Sequence, residues 1–209
     1  MDLNDNIQQL IIMAPPFLFA LTFHELAHGY TAWKLGDPTA KDAGRLTMNP
    51  LKHLDPFGTL AFFIIKIGWA KPVPVNPRYF KDPPKGMLIT ALAGPVANLF
   101  LAIISAVLLK VLVAVPVSSQ FMLNLFNPMI NMMAASVWIN VMLAVFNFIP
   151  IPPLDGSKIL MGLLPPDQAA AYARVESYGF IILLALLYMG IITQLIMPII
   201  NFIVAVMLG

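Results

Sequence analysis

The chain has 209 residues, of which 59% are hydrophobic and only 11% charged, with a mean hydropathy of +0.83. A water-soluble domain carries about 25% charged residues, so this composition builds a surface for lipid rather than water. A net charge of +2 offers nothing to nucleic acid, and the lack of cysteine excludes disulfides, thiol catalysis and thiolate metal sites.

Met1 to Asn6 holds two Asp and no Lys or Arg. A cleaved signal peptide starts with basic residues, so the first apolar stretch is expected to stay in the mature protein. Ile7 to Leu35 exceeds the roughly 20 residues of one straight span. Pro15 and Pro16 predict a short lead-in followed by a helix from Phe17 to Trp33, stopped by Gly36-Asp37-Pro38. After a polar stretch to Pro56, Phe57 to Ile67 is apolar but ends at Gly68, a length that suits a re-entrant or interfacial piece. Trp69 to Pro77 holds Pro72, Pro74 and Pro77, which forbid helix and predict an edge strand or a pair of short strands.

Gly86 to Val115 reads as a second long helix, Pro116 to Pro128 as an uncharged loop, and Ile130 to Phe148 as a third helix ending in Pro150, Pro152 and Pro153. Ser157 to Glu176 is amphipathic and partly polar. Tyr178 to Leu208 is apolar with Pro198 inside, and predicts either one kinked span or a span plus a short tail helix. The expected fold is an all-α multi-pass membrane protein with about four to five spanning helices and a short re-entrant or β segment near residues 57–77. Residues 1–209 are expected to form a single integral membrane domain without an appended soluble unit.

His24-Glu25-Leu26-Ala27-His28 lies inside the first spanning helix. Positions i and i+4 share a helix face, so two imidazoles can take two corners of a zinc tetrahedron. Glu25 beside them is placed as a general base for an activated water. In a soluble helix this five-residue pattern also arises by chance. In lipid, a carboxylate near mid-helix costs on the order of 3 kcal/mol, and ionisable residues there mark function.

A catalytic zinc site takes a third protein ligand and leaves a position open. His53, the remaining histidine, lies in a basic polar loop. Asp155 is the best candidate, in Asn147-Phe148-Ile149-Pro150-Ile151-Pro152-Pro153-Leu154-Asp155-Gly156. This segment follows a spanning helix and is rich in helix breakers, and such backbone at membrane depth belongs where it is buried or lines a wet cavity. Without the first motif, an ordinary Asp-Gly turn at the membrane surface would be the preferred reading. For Asp155 to meet the histidines, the chain must fold back after the third helix or that helix must end early.

Together with Ala93-Gly94-Pro95-Val96-Ala97-Asn98 and the extended stretch Gly68 to Pro77, these two motifs resemble the site-2 protease family of intramembrane zinc metalloproteases over roughly residues 17 to 160. The resemblance implies one Zn2+ per chain on His24, His28 and Asp155, Glu25 as base, and cleavage of substrate proteins within or beside their transmembrane segments. It implies Asn98 and Asn147 as site-lining groups that hold substrate or the oxyanion, although an interhelical hydrogen bond explains an intramembrane asparagine equally well. Members often carry a PDZ or CBS domain, for which this chain has no room. Substrate must unwind to be cut. An edge strand over Lys71 to Asn76 would pair with it through Val73, Val75 and Asn76, or the segment would simply plug the mouth of the site. The competing readings are a membrane zinc transporter, another type of membrane zinc protease that cleaves soluble or lipidated substrates with a Glu or His from a second helix, which the other spanning helices here lack, and a catalytically silent relative that binds helices. A transporter needs polar residues along a through-path, which the outer half of the chain lacks.

Of the 12 Lys and Arg, nine lie between Lys34 and Lys85, and Lys158 and Arg174 follow the third long helix. If four long segments each cross once, these eleven share one side, which the positive-inside rule makes cytoplasmic. The expected location is the cell membrane, with the active site nearer the cytoplasmic side. In this cysteine-free chain, an impermeant thiol reagent outside intact cells should label Ser119→Cys and miss Lys81→Cys. The reverse pattern would invert the topology.

Overall fold

With so little charge to place, most of the chain can satisfy its backbone only within helices. The computed structural model describes residues 3–58, 60, 69–117 and 119–209. Its helices are α1 (Leu3–Lys34), the short α2 (Thr39–Asp42), α3 (Pro83–Ala114), α4 (Gln120–Asn147), α5 (Asp155–Leu163), α6 (Pro166–Ala173), α7 (Glu176–Tyr188) and α8 (Ile191–Leu208). Four are long and apolar enough to cross a membrane by themselves, and a fifth crossing is available if the bent pair α6 and α7 forms one span. Large apolar side chains such as Phe100 and Val111 on α3, Phe121 on α4 and Phe202 on α8 stay on the outside, as a lipid-facing surface requires. The chain is an integral membrane protein of the all-α class.

Three boundaries differ from expectation, and proline explains two of them. α1 runs straight through Pro15 and Pro16 instead of beginning after them. Proline's fixed φ is itself helical, so the chain can forgo the missing hydrogen bonds and continue. Likewise Pro128 lies inside α4, which takes in most of the expected 116–128 loop. Ser119 caps that helix by accepting from the Met122 N–H at 3.3 Å, and Gln120 donates to Asn124 at 3.0 Å across one turn. Uncharged polar residues there read as loop but serve helix. The third difference lies in Pro72 to Asn76. The backbone is extended, but no strand forms among the described residues, where a single antiparallel bridge joins Leu54 and Ala70. Apart from residues 57, 58 and 60, the expected re-entrant piece from Phe57 to Ile67 falls outside the described residues, as does Gly68.

α1, α3 and α4 form the part of the bundle that positions the polar groups. Small residues let them approach closely: Ala91, Gly94, Ala102 and Ala106 on α3, and Ala144 on α4, are buried. A core of Val137, Val141, Leu154, Leu183, Ile192, Ile196 and Ile200 joins α4 to α7 and α8. The apolar C-terminal stretch is broken at Gly190, whose φ of 73° lies in the left-handed region. Beyond it Leu208 lies beside Lys110 and Val113 of α3, so α8 ends on the side where α3 ends.

Candidate metal centre

His24 and His28 stand one turn apart on α1, both buried, with ring planes at 84°. α3 crosses them at Gly94. A Cβ at Gly94 would lie 2.4 Å from the His28 Nε2 and 2.6 Å from the His24 Nε2, so only glycine lets the two helices meet here. Asp155 arrives from the other side. α4 ends at Asn147, and the proline-rich turn folds back so tightly that a Cβ on Gly156 would sit 2.4 Å from the carbonyl oxygens of Phe148 and Ile149. α7 presses Gly179 onto Pro152 behind this turn. Asp155 is thereby raised to the level of the imidazoles, by folding back, one of the two routes the sequence left open.

The three ligand atoms form a small triangle. The two Nε2 atoms are 3.0 Å apart, and each lies 3.1 Å from the Asp155 Oδ2. The protonation of this triangle follows from its surroundings. His28 directs Nδ1 at the Thr90 carbonyl oxygen, 2.7 Å away, and a carbonyl only accepts. His24 directs Nδ1 at the Asn98 Oδ1, 2.5 Å away. Asn98 is oriented in turn: its Nδ2 donates to the Ala20 carbonyl at 3.2 Å and to the Asn140 Oδ1 at 2.9 Å. The Asn140 Nδ2 is spent on the Ser136 carbonyl at 2.9 Å. A neutral imidazole has one N–H, and both are committed at Nδ1. With each ring neutral and donating from Nδ1, both Nε2 lone pairs are directed at the space they share with the carboxylate oxygen, where a metal can accept them.

In the neutral, Nδ1-protonated form the three donor atoms would repel one another in a buried site, and a cation at the centre would reverse the sign. A tetrahedral ion with bonds of about 2.0–2.1 Å separates its ligand atoms by roughly 3.3 Å, close to the distances here. Two imidazoles and one carboxylate form a borderline, nitrogen-rich set that suits zinc. His24, His28 and Asp155 are a group that could hold a metal ion.

A cavity of about 130 Å3 opens beside the triangle, lined by Glu25, Val73, Val75, Thr90, Asn147 and Lys158 among others. Glu25 is buried, and its Oε2 accepts from the Val73 N–H at 2.9 Å. Asn147 spends one amide N–H on the Leu143 carbonyl at 2.9 Å, which leaves its Oδ1 and second N–H for the cavity. Asn98 is placed differently from the expectation that it meets substrate. It is fully buried behind His24, does not line the cavity, and its amide is committed to protein partners. Its position is that of an orienting residue. His53 also lies away from the site. It is fully buried, its Nε2 donates to the Thr47 carbonyl at 2.9 Å, and its own carbonyl accepts from the Lys71 N–H at 2.9 Å.

Sequence reasoning missed Gly94 as a packing requirement, Asn140 as the group that fixes Asn98, and Lys158 in the cavity wall. For Lys158 the signal was present: it stands three residues after Asp155, on the same helical face.

His24→Ala, His28→Ala and Asp155→Ala should each lower the zinc content of purified protein, measured by metal analysis. Asn98→Ala should weaken zinc binding by about 10–100-fold, because removing an orienting partner typically costs that much, and should still reach full occupancy at high zinc. Full occupancy of Asp155→Ala at limiting zinc would remove Asp155 from the ligand set. Unchanged affinity in Asn98→Ala would remove the orienting role.

Residues 12–190 match the sequence family described as Peptidase family M50. A Bacillus subtilis protein named "Putative zinc metalloprotease YwhC" is 44% identical over 186 residues, covering 88% of this chain and 83% of that protein. The Mycolicibacterium smegmatis protein named "Putative zinc metalloprotease Rip2" is 32% identical over 182 residues, covering 85% of this chain and 66% of that protein. The protein of the same name from Mycobacterium tuberculosis is 28% identical over 186 residues, covering 84% and 66% respectively. No solved structure gives a significant match. The chain belongs to peptidase family M50, a family of zinc metalloproteases, and zinc is the metal its converging donors suit.

Proposed function

We propose that this membrane protein is an intramembrane endopeptidase that hydrolyses peptide bonds within or next to transmembrane segments of substrate proteins. In this reading His24, His28 and Asp155 hold one zinc and Glu25 is the general base. The observation that carries it is the setting of Glu25. It adjoins His24 in sequence and shares the cavity with the three donors. One carboxylate oxygen, Oε2, is anchored by the Val73 N–H, while Oε1 has no partner among the described residues. Zinc, when bound, supplies Lewis acidity, which acidifies a water and polarises the scissile carbonyl. Glu25 Oε1 takes the proton from the attacking water and returns it to the leaving amine.

Substrate must be extended to be cut, and extended backbone in lipid needs hydrogen-bonding partners. The Lys71 to Asn76 segment supports such a role although it is not a strand. Val73 and Val75, two residues apart, both line the cavity. The Val75 N–H and the carbonyls of Val73 and Val75 have no partner among the described residues. An extended substrate can pair with these groups by β-augmentation, with Asn147 available on the opposite wall.

Transport is disfavoured by the polar residues beyond the site. Asn98, Asn140, Ser136 and Ser105 run outward from His24, but all are buried and bonded to one another, ending in a 2.8 Å contact between the two serine hydroxyls. They close a path instead of lining one. The proposed setting is the cell membrane, with the site nearer the cytoplasmic side.

Glu25→Gln should keep zinc and lose cleavage of a membrane-spanning reporter by about 10²–10⁴-fold, the usual worth of a general base. Near wild-type turnover would exclude this role. Val75→Pro should slow cleavage with zinc content unchanged, because it removes a free donor and breaks no hydrogen bond of the protein itself. A fully active Val75→Pro enzyme would exclude strand pairing while leaving the protease reading intact.

A further inference from the structure

α5 descends from the metal centre toward the basic side of the molecule. Asp155 begins it at the level of the imidazoles. Gly162, near its end, packs on Leu88 and on the Pro84 carbonyl at the start of α3. That end of α3 adjoins the 34–85 region, where nine of the twelve Lys and Arg lie. Lys158 stands between these levels. Three residues along a helix is about 4.5 Å, and i+3 spacing keeps Lys158 on the face of Asp155. Its half-buried side chain lines the same cavity as the three donors and Glu25. It is the cation among the cavity's lining residues. No ion pair between Lys158 and a carboxylate is found among the described residues.

We propose that Lys158 is a specificity-determining residue that reads the charge of the substrate just to the basic side of the scissile bond. It favours an acidic or neutral side chain there and rejects Lys or Arg. The inference rests on the protease reading above. An extended chain advances about 3.3 Å per residue, so a displacement of about 4.5 Å brings Lys158 level with the residue one or two positions from the bond being cut. Spanning segments carry their Lys and Arg on the positive-inside side. A cation fixed at the mouth, in a cleft where water is scarce, therefore excludes segments whose basic flank begins at once, and admits those with an intervening neutral or acidic residue. Lys158 would act by unfavourable juxtaposition with wrong substrates as much as by attraction to right ones.

The test uses purified full-length protein and three spanning reporters. These are identical except for Glu, Gln or Lys one or two positions to the basic side of the mapped cut. Wild type should prefer the Glu reporter to the Lys reporter by about tenfold in kcat/KM, equivalent to about 1.4 kcal/mol. Lys158→Glu should reverse the order, and Lys158→Met should bring the Glu and Lys reporters to nearly equal rates. Each ratio is taken on one preparation, so a lower active fraction cancels, and zinc content is measured in parallel. A Glu-to-Lys ratio that stays the same in Lys158→Glu and Lys158→Met overturns the inference, and so does a wild type that cuts all three reporters equally. Both outcomes leave the protease reading standing. A zinc-loaded wild type that cuts none of them overturns the protease reading and this inference with it.

Discussion

Two imidazole nitrogens and a carboxylate oxygen, held about 3 Å apart, set the terms for the rest of the molecule. Burying three such polar groups without partners would cost several kcal/mol of desolvation. Their geometry must therefore be imposed by neighbours that spend their own hydrogen bonds on them. The network behind His24 does this through Asn98, Asn140 and Ser136, three helices deep. The Thr90 carbonyl does it for His28. Gly94 is the steric counterpart: it admits α3 to the distance at which those bonds can form. Buried polar networks are costly unless complete, and here completion fixes which imidazole nitrogen is left for a metal.

A second set of bonds ties the extended segment to the same centre. Arg45 donates to the Lys71 carbonyl at 2.6 Å and to the Pro72 carbonyl at 3.2 Å. Asp37, fully buried where α1 ends, accepts from the Asn76 N–H at 2.7 Å and from Thr39. Between these ties the Val73 N–H holds Glu25. Gly29 leaves the space in which Val73 packs on α1, since a Cβ there would come within 3.0 Å of the Val73 side chain. The segment is thus secured through its ends and through Val73, while Val75 stays open. Glu25 depends on the same backbone that would receive substrate, so a chain pairing at Val75 would bear on the orientation of the base. In the proposed reading, binding and proton transfer would share one mechanical element.

Much of this was legible in the chain itself. His24, Glu25 and His28 announced themselves because helical periodicity is local and because ionisable groups in an apolar run have few other uses. Asp155 was legible from its prolines and from the need for a third ligand, although only the turn at Gly156 explains how it reaches the depth of the histidines. Pro15, Pro16 and Pro128 misled because proline was read as a boundary, whereas its backbone angle is compatible with helix and the apolar setting offers the chain no better partner. The extended form of Pro72 to Asn76 followed from its prolines; its failure to become a strand did not, because its partners are the side chains of Arg45, Glu25 and Asp37. The role of Asn98 was illegible for the same reason. An asparagine has four hydrogen-bonding sites, and nothing in sequence says whether protein or substrate fills them.

The two sides of the centre differ in kind, and the difference gives the site a direction. Outward from His24 the polar groups of the helix interface, Asn98, Asn140, Ser136 and Ser105, are buried and partnered, and small residues close the helices together. Toward the basic side the groups are open: the second Asn147 N–H, the Val75 N–H, Glu25 Oε1 and the Lys158 ammonium all belong to residues of the cavity wall and lack protein partners among the described residues. Water reaches a buried site only where polar groups can hold it, so solvent, and in the proposed reading an unwound chain, would share this approach. The closed half behind His24 holds the imidazoles in place. The open half on the basic side holds the unsatisfied donors and acceptors that, in the proposed reading, an extended peptide would need once it leaves its own helix. Rigidity and access conflict within a single cavity, and here they are separated along the bundle axis.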